Sequence, residues 1–185
     1  MGNLSLILAL CILGPLAMML FVFRGNQRVI LAFLMSGIFM CLLAGEINGL
    51  ILAETKLDLG FLTVNVTPIV EEALKSLPIV FIAFMWKPDE PLLLASSVAV
   101  GVGFAILENA YILSGMVDSV SIPWALMRVF GAGMVPGICT LAVGWAMSYV
   151  YGKRKMFFAG TFAAFSAAVI FHSIYNMLIG SDHRI

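Results

Sequence analysis

Six long apolar runs, cut apart by short polar segments, constrain this chain more than any other feature of its 185 residues. They cover roughly residues 3–23, 29–53, 67–86, 92–114, 123–150 and 156–180. A helix needs about 20 residues to cross a hydrocarbon core of about 30 Å, and every run is close to that length or beyond it. A lone strand would leave backbone groups unpaired in lipid, so each run is expected to be helical. Composition agrees. Hydrophobic residues make up 62% of the chain and charged ones 11%, with a mean hydropathy of +1.09. Soluble chains are about 45–50% apolar and about 25% charged. The expected fold is an all-α membrane protein, a compact bundle of about six transmembrane helices forming one integral membrane domain over residues 1–185. Zero formal net charge leaves no basic surface for nucleic acid. No Lys or Arg precedes the first run, which is also longer than the apolar core of a secretory signal, so it reads as a retained helix. Cys11, Cys41 and Cys139 lie inside apolar runs without a CxxC spacing and read as packing residues.

The basic residues fall on alternate separators. Arg24 and Arg28 lie in the first, Lys87 in the third, and Lys153, Arg154 and Lys155 in the fifth. The second and fourth carry Glu54, Lys56, Asp58 and Asp118. The positive-inside rule then puts the odd separators in the cytoplasm and both termini outside, with Arg184 near the C-terminus arguing weakly the other way. The expected location is a cell membrane, crossed several times. Gly133 and Gly137, and likewise Gly101 and Gly103, are small residues that let helices approach closely. Pro78 and Pro136 are expected to kink their helices. Residues 57–66 alternate mildly and read as an extended or interfacial segment.

An ionisable side chain at the bilayer centre costs about 2.5–3.5 kcal/mol, so each one is a functional candidate. The spans hold seven: Glu46, Glu71, Glu72, Lys75, Glu108, Arg128 and His172, with Asn109 and Asn176 as polar companions. In the predicted topology Glu71, Glu72, Lys75, Glu108, Arg128, His172 and Asn176 share one depth near the extracytoplasmic face, on four helices. Glu46 lies near the end of its span, where it can snorkel, and is left out of the site. Lys75 is placed i+4 from Glu71 and i+3 from Glu72, so it can reach either carboxylate. His172 and Asn176 share a face. Glu71 and Glu72 point about 100° apart, so one can face a cavity while the other binds a partner. Three carboxylates stand against Lys75 and Arg128, so one proton has to be held in the cluster. A poised proton in a buried cleft is what acid–base chemistry requires. The plainer alternative is that the charges, Lys75 and Arg128 above all, pair to hold helices together.

At these positions the residues form three ordered motifs. Glu71-Glu72-Ala73-Leu74-Lys75 reads EExxK, Phe104 to Asn109 reads FxxxEN, and His172 to Asn176 reads HxxxN. Over about residues 65–180 the chain resembles the PrsW family of intramembrane proteases. It is more distantly similar to the CAAX prenyl endopeptidase superfamily, whose motifs are EExxxR, FxxxH and HxxxN. The resemblance implies proteolysis by a glutamate-activated water near the outer membrane face. It also implies a membrane-anchored protein substrate such as an anti-sigma factor. It casts Glu71 as the general base. Glu108 stands where the prenyl endopeptidases have a His, to hold water or share the proton. His172 and Asn176 would donate to the oxyanion, and Glu72, Lys75 and Arg128 would orient groups and balance charge. The candidate catalytic residues are thus Glu71, Glu72, Glu108, His172 and Asn176, supported by Lys75, Asn109 and Arg128.

Related sequences often carry a further His on the fifth helix, and residues 134–140 here have none. A catalytic zinc usually takes three protein ligands, commonly His-rich. Glu71, Glu108 and His172 are the set this chain could offer, and a metal-free glutamic mechanism with no cofactor is the expectation. Two other classes compete. One is a non-catalytic scaffold subunit of a membrane complex. The other is a proton- or cation-coupled transporter, disfavoured because the polar residues keep to one depth and no paired broken half-helices repeat.

Overall fold

The computed structural model describes residues 3–116, 121–150 and 154–181. Asp118, Lys153 and Arg184, whose charges entered the topology argument, lie outside the described residues. The described residues form six principal helices: α1 (Asn3–Val22), α2 (Asn26–Thr55), α3 (Thr67–Met85), α4 (Glu90–Ser114), α5 (Met134–Val150) and α6 (Arg154–Ser181). No strand occurs among the described residues. The all-α bundle expected from the apolar runs is what the chain adopts.

The breaks between helices have local causes. Gly25 takes φ 56°, a left-handed conformation that suits glycine, and turns the chain from α1 into α2. Lys56 adopts a left-handed cap after α2. The Asp89 carboxylate accepts from the Leu92 N–H at 3.4 Å, with Pro91 in the first turn, and so starts α4.

Two elements differ from expectation. Residues 59–66, read as extended or interfacial, are wound into a helical turn (Leu59–Phe61) and a π-helical turn (Leu62–Val66) that run directly into α3. Asp58 caps the first of these, accepting from the Phe61 N–H at 3.1 Å. A two-residue alternation over so short a stretch cannot tell an interfacial strand from helical turns with one wet face. The fifth span is also interrupted, though not at Pro136. A helix Ile122–Met127 passes into a π-helical turn Arg128–Ala132, and α5 proper begins at Met134. Pro136 sits in the first turn of α5, where its missing N–H would have no intrahelical acceptor in any case.

Helix α4 runs through the middle. A Cβ at Gly103 would strike the Leu34 carbonyl of α2, and one at Gly37 of α2 would strike the Val100 carbonyl of α4. On the other side a Cβ at Gly101 would strike Pro136 and Gly137 of α5. Small residues thus bring α2, α4 and α5 into backbone contact, which is how helices gain packing energy in lipid. Among the described residues five segments are long and apolar enough to cross a membrane: Leu4–Val22, Asn26–Thr55, Glu90–Ser114, Ile122–Val150 and Met156–Leu178. Helix α3 stands apart from them because Glu71, Glu72 and Lys75 lie within its 19 residues. Beside it an apolar groove of about 370 Å³ opens between α2 and α3, lined by Phe33, Met40, Leu77, Pro78 and Phe81 among others.

Candidate active site

Glu71, Glu72 and Lys75 occupy the second turn of α3 on the face turned into the protein, and all three are buried. The Lys75 ammonium donates to Glu72 Oε1 at 2.6 Å, with both side chains fully buried. The same ammonium lies 4.6 Å from the centre of the Phe104 ring on α4. Phe104, the first residue of FxxxEN, therefore supplies an aromatic face that a buried cation can use.

Glu72 Oε1 has a second partner. His172 Nδ1, from α6, lies 2.8 Å away. With a carboxylate at that distance, Nδ1 carries the proton and donates it. This fixes the ring and aims Nε2 elsewhere. Nε2 faces Glu71 Oε2 at 3.7 Å, too far for a hydrogen bond. Glu71 is thus the less committed carboxylate. Its side chain is 11% exposed, against 0% for Glu72, and Oε2 has no hydrogen-bond partner among the described residues. Glu72 Oε2 is also without one, but its sister oxygen is clamped from both sides. Adjacent carboxylates are therefore separated by helix rotation into one held by Lys75 and His172 and one left at the edge of the cluster.

The remaining predicted residues lie around this cluster. Arg128, at the start of the π-helical turn before α5, places Nη2 3.7 Å from Glu108 Oε1 of α4, with side chains 14% and 28% exposed. Asn109 is buried, and a Cβ at Gly133 would stand 3.0 Å from its Nδ2. Gly133 thereby leaves room for the amide. Asn176 does not reach the Glu71–His172 pair. Its Nδ2 donates to the Thr63 carbonyl at 3.1 Å, in the π-helical turn that leads into α3. Glu46 lies in the second half of α2. Sequence reasoning did not single out Thr63 or Tyr175. The Tyr175 hydroxyl would stand 4.0 Å from a Cβ at Gly131, beside the Arg128 turn. Its place between His172 and Asn176 was the one signal that could have flagged it.

A buried glutamate with an unpartnered oxygen, and a histidine oriented against it by a second glutamate, can accept a proton from water and return it. The profile of one protein family, described as PrsW family intramembrane metalloprotease, matches residues 25–185. The chain belongs to the PrsW family. Membership puts it among multi-pass membrane proteases, in agreement with the motifs on α3, α4 and α6. Neither the curated proteins nor the solved structures contain a match to it.

The PrsW description implies a metal, so the donor set bears on it. Glu71 Oε2 and His172 Nε2, 3.7 Å apart, are spaced as two ligands of one ion can be, and Glu72 holds the far ring nitrogen as an outer partner would. A third donor does not follow. Glu108 faces Arg128, and among the described residues no group of three His, Cys, Asp or Glu is placed to hold an ion. The side chains as arranged do not fit a three-ligand zinc centre.

Proposed function

We propose that this PrsW-family protein is an intramembrane endopeptidase. It cleaves a membrane-anchored protein near the extracytoplasmic face of the cell membrane, with Glu71 activating the attacking water. One observation carries this reading: Glu71 keeps an unpartnered carboxylate oxygen beside His172 Nε2, while Glu72 and Lys75 are locked to each other. Glu71 takes a proton as the water oxygen bonds to the scissile carbonyl carbon. It then returns that proton to the leaving amide nitrogen as the C–N bond breaks, giving a carboxylic acid and an amine. His172, held by Glu72, offers Nε2 toward the same atoms. In its protonated form it donates to the oxyanion in a site with little water to compete. Lys75 holds Glu72 in place, and Arg128 and Glu108 form the outer rim through which substrate backbone would pass. An anti-sigma factor, the substrate type implied by the sequence resemblance, is the first candidate.

The test is cleavage of tagged membrane-anchored substrates by the purified protein in lipid nanodiscs, comparing wild type with Glu71→Gln and His172→Ala. Glu71→Gln keeps the shape and removes the base, so the expected result is a folded protein whose cleavage falls by about 10²-fold or more. Equal cleavage by Glu71→Gln would overturn the assignment of the base. A wild type as inert as both variants across a broad panel would transfer the reading to a scaffold subunit.

A further inference from the structure

We infer that Asn176 is a positioning residue: its side-chain amide replaces the backbone N–H that Pro68 cannot supply, and so fixes how α3 begins ahead of Glu71. In the π-helical turn Leu62–Val66, the Thr67 N–H bonds to the Leu62 carbonyl five residues back. The next carbonyl in that ladder is Thr63, and its donor would be residue 68. Residue 68 is proline, which has no N–H. A backbone carbonyl that loses its helical donor in this way takes another, here from a neighbouring helix. Asn176 Nδ2, from α6, donates to that carbonyl at 3.1 Å.

Other hydrogen bonds in the segment are local. Thr63 Oγ1 donates to the Leu59 carbonyl at 2.9 Å, and Asn65 Nδ2 to the Phe61 carbonyl at 3.1 Å. Each winds the turn without tying it to the rest of the protein. The Asn176 bond does tie it, over 113 residues of sequence. One helical turn earlier on α6, His172 Nδ1 donates to Glu72 Oε1 at 2.8 Å. Two hydrogen bonds one turn apart thus hold the entry of α3 and its catalytic turn to the same helix. The two polar residues of HxxxN divide the work: His172 is held against Glu72, and Asn176 sets the backbone from which the carboxylates project.

This reading and a direct role in the oxyanion predict opposite results for one substitution. Pro68→Ala restores an N–H to residue 68 and makes the Asn176 amide dispensable to the turn. It gives nothing to an oxyanion. Wild type, Pro68→Ala, Asn176→Ala and the double variant would be compared in nanodiscs by thermal unfolding and by cleavage of a membrane-anchored substrate. Asn176→Ala is expected to lower Tm by about 2–4 °C and, through displacement of Glu71, to lower kcat by about 10²-fold. Adding Pro68→Ala is expected to return most of both losses. A wild-type Tm for Asn176→Ala would overturn the inference, and so would a double variant no better than Asn176→Ala. If Asn176→Ala cannot be purified folded, recovery of the folded double variant supports the inference and its failure overturns it. The cleavage arm rests on the protease reading; the unfolding arm does not. An inert wild type with Tm rescue would sink the protease and leave the positioning role standing.

Discussion

Replacing Lys75 by methionine keeps the length and apolar stem of the side chain while removing its charge. Glu72 would then be a fully buried carboxylate with only His172 on Oε1. Breaking a buried ion pair from one side costs about 3–5 kcal/mol, because the surviving charge has lost its compensation. No discount for solvent applies, since both side chains are 0% exposed. For a chain of this length each kcal/mol shifts Tm by about 2–4 °C, so Lys75→Met should lower Tm by about 6–20 °C. Glu72→Gln added to Lys75→Met removes the stranded charge and keeps an oxygen to accept from His172. The double variant should recover about 1 kcal/mol or more, since contacting residues couple by about 0.5–3 kcal/mol. Tryptophan fluorescence during heating in detergent, with gel filtration to confirm a folded species, measures all three. A Lys75→Met shift below about 2 °C, or a double variant whose loss equals the sum of the single ones, would refute the claim that this pair is a charge-compensated unit.

Other expectations follow from the same contacts. Arg128→Met should cost less than about 1 kcal/mol in a denaturation assay, because the Glu108 contact is long and partly exposed. Gly103→Ala should lower stability by about 1–3 kcal/mol, since its Cβ meets the Leu34 backbone. Gly14→Ala, with nothing within 4 Å, is the matched control. Cleavage activity should survive EDTA or phenanthroline, checked by elemental analysis of the stripped protein. Loss of activity reversed by zinc would replace the glutamic mechanism with a metal-dependent one.

The helices were legible because lipid imposes one rule on every backbone group: each of the six apolar runs carries a principal helix, and five lie in segments able to cross a membrane. The polar cluster was legible for the converse reason: charges in apolar helices stand out, and Glu71, Glu72, Lys75 and His172 do meet. What escaped depended on contacts between distant residues. Glu71 and Glu72 are chemically identical neighbours, and only the packing of α3 against α6 decides that Glu72 meets His172. The partner of Asn176 is a backbone carbonyl, which no side-chain motif marks. Phe104 was visible as a motif letter but not as a ring beneath Lys75. Pro136 invited a kink, and the interruption fell upstream, at the turn that carries Arg128. Cys41 and Cys139, read as packing residues, are indeed buried and free, whereas Cys11 is exposed.

The glycine contacts of α4 also have a mechanical consequence. With Gly37, Gly101 and Gly103 at backbone contact, α2, α4 and α5 are packed too closely to admit even a methyl group between them. Helix α3 leans on them differently, through a buried ammonium and aromatic ring on one side and the open apolar groove against α2 on the other. Helix α6 holds it by hydrogen bonds that can break and re-form. A substitution at Gly37, Gly101 or Gly103 therefore sets backbone against backbone, whereas one at His172 or Asn176 removes a hydrogen bond between side chain and neighbouring helix.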